Sequence, residues 1–197
     1  MSRYDVVGVG NAIVDVIVLV DDEFIDEHQL TKGAMTLIDA ERATSLYDAM
    51  PAGIEASGGS AANTMAGIAS FGGRAAYIGK VRDDQLGEVF RHDIRATGVS
   101  YDVPFGTDGP PTARCLIQVT PDAQRTMNTF LGISSLLSPA DVDEQFLRLV
   151  FANLGGDSLT EQSTKATCSE SGTPAFARRE MVCSCTAKRG TRCALLP

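Results

Sequence analysis

The sequence predicts an α/β layered fold, and three observations carry that prediction. Short valine- and alanine-rich runs alternate with segments of helical spacing over the first hundred residues. Glycines close these runs at the places where a strand would have to turn into a helix. A strand-rich stretch then follows from Pro110 to Gly132, which adds an antiparallel piece to the layered core.

Tyr4-Asp-Val-Val-Gly-Val-Gly10 reads as a buried strand, and Ile13-Val-Asp-Val-Ile-Val-Leu-Val20 as a second one almost at once. Asp22 to Gln29 is acidic and reads as a short helix or a loop. Met35 to Asp39 reads as a strand, and Ala40 to Met50 has helix-forming composition that stops before Pro51. Ser57 to Ser60 is a glycine turn. Ala61 to Phe71 carries Met65, Ile68 and Ala69 at helical spacing, with Gly72-Gly73 as the stop. Ala75 to Gly79 is a short strand. Asp83 or Asp84 caps a helix whose apolar face is Leu86, Val89, Phe90 and Ile94, ending at Gly98. Ala113–Val119 and Arg125–Leu131 form a hairpin whose turn begins at Pro121. Ser138-Pro-Ala-Asp141 is a helix start, with Val142, Phe146, Leu149 and Val150 on its apolar face.

Composition narrows the function. The chain is acidic, with a net charge of −8, so it offers no basic stripe to nucleic acid. The longest apolar run, Ala12 to Val20, is interrupted by Asp15 and falls short of a membrane span. The N-terminus lacks the apolar core of a secretory signal, which makes the cytoplasm the expected address. Charge is unevenly distributed. Residues 1–147 hold 21 acidic and 10 basic side chains, whereas residues 148–197 hold 4 and 7. Four of the five cysteines (Cys168, Cys183, Cys185, Cys193) also fall in that last quarter, where hydrophobic periodicity fails. Their spacing contains no C-x₂-C pair and the segment has no histidine, which argues against zinc.

The glycine turn is the strongest functional signal. Gly58 and Gly59 permit close backbone approach and positive φ. Ser60 then stands at a helix N-terminus, whose free N–H groups bind oxygen-rich ligands. Asn63, one turn later, offers a donor and an acceptor to the same mouth, which suits a polyhydroxylated ligand. A plain helix-capping turn is the alternative reading of the same residues. Asp15, a carboxylate inside a valine-rich strand, calls for a strong donor, or else for satisfaction by backbone or water at a strand kink.

Gly58-Gly-Ser-Ala-Ala-Asn63, followed by Gly72 and by Ile78-Gly-Lys-Val-Arg-Asp-Asp-Gln-Leu-Gly87, resembles the first signature of the ribokinase/PfkB carbohydrate kinase family. Gly10-Asn-Ala-Ile-Val-Asp15 resembles that family's opening motif. The resemblance covers residues 4–147 and is nearest to the adenosine-kinase-like branch. It implies a ribokinase-like layered α/β core with a small β-sheet lid, built from the strand-rich pieces around 15–40 and 100–132. It implies a sugar or nucleoside held by Asn11, Asp15, Gly58, Gly59, Ser60 and Asn63, with ATP and Mg2+ as cofactors, and pairing of two copies through the lid strands as a further option. Three departures from the pattern stand out: Arg82 and Ala113 where relatives carry glycine, and Met65 where they carry a small residue. A glycine at position 82 would suggest positive φ, which would strain an arginine.

The family's catalytic base and phosphate site come from its C-terminal half, in a Gly-Ala-Gly-Asp turn. Leu154-Gly-Gly-Asp-Ser158 is a poor substitute, because Leu154 stands where a small residue is needed and no apolar helix follows. Residues 1–147 are therefore expected to be the N-terminal part of the kinase domain. Residues 148–197 are expected to be a poorly ordered tail of non-family sequence, as from a shifted reading frame. Two readings of activity follow: a kinase of which this chain holds the acceptor-binding half, or a catalytically inert sugar- or nucleoside-binding fragment. A dinucleotide-binding reading of Gly8-Val-Gly10 fails, because Ile13 takes the place of the third glycine and a strand follows instead of a helix.

Overall fold

The computed structural model describes residues 4–142 and two short strands, Met181–Ser184 and Arg192–Leu195. In chain order the elements are β1 (Val6–Val9), β2 (Ile13–Leu19), α1 (Asp22–Glu27), β3 (Met35–Leu37), α2 (Ala40–Ala49), β4 (Ile54–Gly58), α3 (Ser60–Ser70), β5 (Ala75–Ile78), α4 (Gln85–Ala96), β6 (Ala113–Val119), β7 (Arg125–Phe130), β8 (Met181–Ser184) and β9 (Arg192–Leu195). Two 3-10 turns, Gly132–Leu136 and Pro139–Asp141, follow β7.

The strands form two sheets. One has the order β5-β1-β8-β9, with β1 and β5 parallel and β1 and β8 antiparallel. The other has five strands in the order β3-β7-β6-β2-β4. Its centre is a parallel pairing of β2 with β6, from Ile13 opposite Ala113 to Leu19 opposite Val119, flanked by the β6–β7 hairpin. This mixed α/β arrangement is the predicted fold class, and the strand-rich pieces assigned to the lid do share one sheet.

Helices α3 and α4 pack where the two sheets meet: α3 lies against β1 and β5, and α4 against β4 and β2. The apolar face read for α4 is the one used, with Phe90 and Ile94 fully buried. Phe90 enters an aromatic cluster with Tyr77 of β5 and Tyr101, at centroid separations of 5.4–6.1 Å. Burying rings of this size supplies roughly 2–3 kcal/mol each. The Tyr101 hydroxyl donates to the Gly79 carbonyl at 2.7 Å, so its polar end is satisfied inside the core.

Aspartates begin three of the four α-helices among the described residues. Asp21 accepts from the Phe24 amide, Asp39 from Arg42 and Asp84 from Gly87, at 2.8–2.9 Å. A cap of this kind is worth about 1 kcal/mol. Of the two candidates for α4, Asp84 is the cap. Its carboxylate also accepts the Thr112 amide at 2.9 Å and the Thr112 hydroxyl at 2.6 Å, tying α4 to the entry of β6.

The three departures from the family pattern have structural accommodations. Met65 is fully buried and lies against Gly8, where an added Cβ would sit 2.8 Å from the Met65 Cγ, so the glycine makes room for the large side chain. The strain anticipated at position 82 is absent. Gln29 and Ala123 are the non-glycine residues with positive φ among those described, and Arg82 is not one of them. Arg82 instead donates its amide to the Thr112 hydroxyl at 2.9 Å and its guanidinium to the Gly109 carbonyl. Ala113 is fully buried at the start of β6, close behind Gly132.

Other differences are local. β4 was not foreseen as a strand, since Ile54-Glu-Ala-Ser-Gly58 has no β-branched run and owes its form to pairing with β2. β3 ends at Leu37 because Asp39 is occupied as the α2 cap. The predicted helix start at Ser138 is a capping box on a 3-10 turn, with the Ser138 amide and hydroxyl both donating to Asp141 at 2.8 Å. Phe146, Leu149 and Val150, read as that helix's apolar face, lie outside the described residues, as does the segment Leu154–Ser158.

Candidate substrate site

Strand β2 alternates strictly. Val14, Val16 and Val18 are buried toward the core, which places Ile13, Asp15 and Ile17 on the opposite face. Register carries that face across the sheet. Asp15 stands opposite Cys115 of β6 and Ala56 of β4, Cys115 opposite Thr129 of β7, and Ile117 opposite both Ile17 and Met127. Asp15 is thus a carboxylate on a wall otherwise made of Ile13, Ile17, Cys115, Ile117 and Met127. Burial alone pushes its carboxyl above the ordinary carboxylate range, with no donor or cation among the described residues pulling it back.

Cys115 confirms the apolar character of this wall. Burial pushes its thiol up to about 11, the Thr129 hydroxyl bond (3.3 Å) draws it partly back, and the Asp15 charge adds to the rise. At neutral pH it is a protonated, weakly polar thiol.

The two glycines are required for different reasons. Gly58 pairs opposite Ile13, and a Cβ there would fall inside the Asp15 carboxylate, with Oδ1 at 2.6 Å and Cγ and Oδ2 nearer still. Its φ is not positive, so the requirement is space. Gly59 has φ 93°, the left-handed region that favours glycine, and it opens α3 without a side-chain cap. The idea that both glycines serve positive φ therefore holds for Gly59 alone.

Ser60 and Asn63 follow on the first turn of α3, both exposed, with the Asn63 amide closing the first helical bond to the Gly59 carbonyl at 2.9 Å. The leading amides of the helix are left without a side-chain acceptor, which gives the mouth a partial positive charge. Asn11 sits half-exposed between β1 and β2. The Ser134 hydroxyl reaches its Oδ1 at 3.3 Å but gives its proton to the Leu131 carbonyl at 2.6 Å, so most of the Asn11 amide's capacity remains open.

Pairing of β2 with β4 thus brings Asp15 and Gly58 into contact, and Gly59, Ser60 and Asn63 follow directly in the chain. Sequence reasoning missed the wall residues Ile13, Cys115, Ile117, Met127 and Thr129. Alternation within β6 and β7 would have suggested their faces, but only the β2–β6 register puts them beside Asp15. Among the described residues no group of three or more His, Cys, Asp or Glu side chains is placed to hold a metal ion. No described helix is long and apolar enough to cross a membrane.

Comparison with known proteins places the fold and the family. The structure superposes on the adenosine kinase from Sinorhizobium meliloti with a TM-score of 0.67 at 55% identity, covering 74% of this chain and 45% of that one. A probable sugar kinase protein from Rhizobium etli CFN 42 gives a TM-score of 0.68 at 54% identity, over 77% of this chain and 45% of that one. Among curated relatives, probable fructokinase-4 of Arabidopsis thaliana is 35% identical over 107 residues, 53% of this chain and 32% of the relative. The chain therefore spans about a third of the length of that relative and under half of the two solved kinases. Residues 8–172 match the profile described as pfkB family carbohydrate kinase, a span that contains the glycine turn, Asp15 and the whole five-stranded sheet. By that match, the chain belongs to the pfkB family of carbohydrate kinases.

Proposed function

We propose that this chain carries the acceptor half of an ATP-dependent kinase whose acceptor is a nucleoside. The observation that carries this reading is Asp15, a half-buried carboxylate without a partner among the described residues, set in an apolar wall beside the open end of α3. A ribose offers hydroxyl donors to Asp15, while Asn11 and Asn63 supply amide donors and acceptors around the ring. The base needs apolar surroundings, and Ile13, Cys115, Ile117 and Met127 form an apolar cluster on the face that carries Asp15. A free hexose would turn hydroxyls toward that wall and leave them unpaired. The likeness to an adenosine kinase at 55% identity supports the nucleoside, and the fructokinase likeness at 35% keeps a sugar as the second reading.

ATP would supply the transferred phosphoryl group, with magnesium neutralising its charge. The chemistry proposed for this chain's own residues is to bind and orient the acceptor hydroxyl. Binding without turnover is the second form of the proposal, an inert fragment in place of an enzyme.

Titration calorimetry of the chain with adenosine and with fructose tests the reading. Adenosine is expected to bind saturably and more tightly than fructose, and Asp15→Ala to weaken it roughly 10- to 100-fold, the worth of a hydrogen bond to a charged group. Tighter binding of fructose would overturn the nucleoside assignment. Unchanged affinity in both Asp15→Ala and Asn63→Ala would overturn the site. Nucleotide consumption measured with ATP and magnesium in the same samples separates the enzyme from the inert fragment.

A further inference from the structure

Among the described residues β4 is an edge strand, with no neighbouring strand on one side of its backbone. Its Ser57 amide points to that open side, and a side chain of α4 receives it: Asp93 Oδ2 accepts the Ser57 N–H at 3.2 Å. The other carboxylate oxygen faces the His92 ring at 3.2 Å, on the solvent side. Ser57 is the residue immediately before Gly58, whose Cα packs under the Asp15 carboxylate, and two before Gly59, which opens α3. The alignment of β4 therefore sets both the clearance under Asp15 and the angle at which the α3 amides leave the turn. From β2 that strand is held along one edge. From α4 it is held by Asp93.

We infer that Asp93 is a positioning residue for the acceptor site, acting through the Ser57 amide to fix the Gly58–Gly59 turn beneath Asp15. It touches no ligand itself. The inference rests on the acceptor-site reading for its functional consequence, but its structural half stands independently. A purely stabilising role for Asp93 on α4 would lower global stability without loosening the turn selectively. A positioning role loosens the turn first, and it is restored by any side chain that keeps an acceptor oxygen at the same reach.

Two measurements on the full chain test this in Asp93→Ala and Asp93→Asn. Hydrogen exchange followed by mass spectrometry is expected to show the peptide spanning Ser57 to Asn63 exchanging about 10-fold faster in Asp93→Ala, while core peptides of β5 and α4 keep wild-type rates. Asp93→Asn, whose amide oxygen is still an acceptor at the same reach, is expected to stay within about 2-fold of wild type. Adenosine affinity should follow the same order, weakening about 5- to 10-fold in Asp93→Ala and little in Asp93→Asn. Unchanged exchange at the turn in Asp93→Ala overturns the inference, as does an Asp93→Asn variant as loose as the alanine. If the wild-type chain binds no nucleoside or sugar, the acceptor reading fails, and the exchange rates alone decide whether Asp93 holds the turn.

Discussion

Replacing Gly58 by alanine places a methyl group where the Asp15 carboxylate already is, and the result can be worked out in advance. The backbone at Gly58 is not in the left-handed region, so alanine meets no conformational penalty there. Taken alone, the loss of unfolded-chain freedom would stabilise the variant by roughly 0.5–1 kcal/mol. Against that, the new Cβ would lie 2.6 Å from Asp15 Oδ1, with Cγ and Oδ2 closer, so the carboxylate must leave its position. Forced shifts of this kind cost about 1–3 kcal/mol. The net expectation is that Gly58→Ala destabilises by about 1–2 kcal/mol. In an Asp15→Ala background the obstacle is gone, and the same substitution should become neutral or stabilising. The double-mutant cycle, measured by urea unfolding, is therefore expected to show a coupling of roughly 1–3 kcal/mol. Equal destabilisation by Gly58→Ala in both backgrounds would refute the steric interlock and with it the explanation of the first glycine.

Three further outcomes follow from the same structure. Burial raises the Asp15 carboxyl above its ordinary value of 3.8, so the folded state holds that proton more tightly than the unfolded chain does. Stability should therefore fall as pH rises from near 3.8 through the higher folded value, and Asp15→Asn should remove that slope, gaining on the wild type in urea midpoints taken across the range. Arg82→Gly, the change toward the family pattern, should not stabilise, because position 82 has no positive φ to relieve; a loss of about 0.5–1 kcal/mol in thermal unfolding is expected. Lys80 pairs with Asp141 at 2.6 Å, and both side chains are mostly buried. Burial opposes the Asp141 charge, but Lys80 and the two Ser138 donors outweigh it and hold the carboxyl below its usual range. That contribution is present above pH 3.8 and is lost as pH falls through the lower folded value, so Lys80→Met should cost about 1–2 kcal/mol at neutral pH and less in acid.

Local signals in the sequence translated well into elements. The apolar stripe Leu86, Val89, Phe90 and Ile94 is the buried face of α4, and the turn at Pro121 joins β6 to β7 as the expected hairpin. What escaped was non-local. The parallel pairing of β2 with β6 joins residues a hundred positions apart, and no short window records it. Without that register, Cys115 is a cysteine in a strand instead of a neighbour of Asp15. β4 escaped for the same reason, since Ala56, Ser57 and Gly58 become a strand only by lying against β2. The role of Gly58 was hidden because adjacent glycines look alike in sequence, while one serves space and the other dihedral freedom. Arg82 and Met65 looked like anomalies for a related reason: Thr112, Gly109 and Gly8, which accommodate them, are distant in the chain.

The cluster of Tyr77, Phe90 and Tyr101 also determines how the molecule can be watched. The chain contains no tryptophan and only four tyrosines, so Tyr4, Tyr47, Tyr77 and Tyr101 dominate its near-ultraviolet absorbance over the weaker phenylalanines. Tyr77 and Tyr101 lie in the core with ring centroids 6.1 Å apart, close enough for their transitions to couple and give a near-ultraviolet circular dichroism band. Tyr47 lies away from them on α2, with its hydroxyl donating to Glu55 of β4 and the Arg114 guanidinium 5.3 Å from its ring. Dichroism thus reports on the packed core, while the absorbance difference between the chain and Tyr47→Phe reports on the strand that leads into Gly58. Two optical channels without an introduced label can then show whether the strand beneath Asp15 loosens before the core melts.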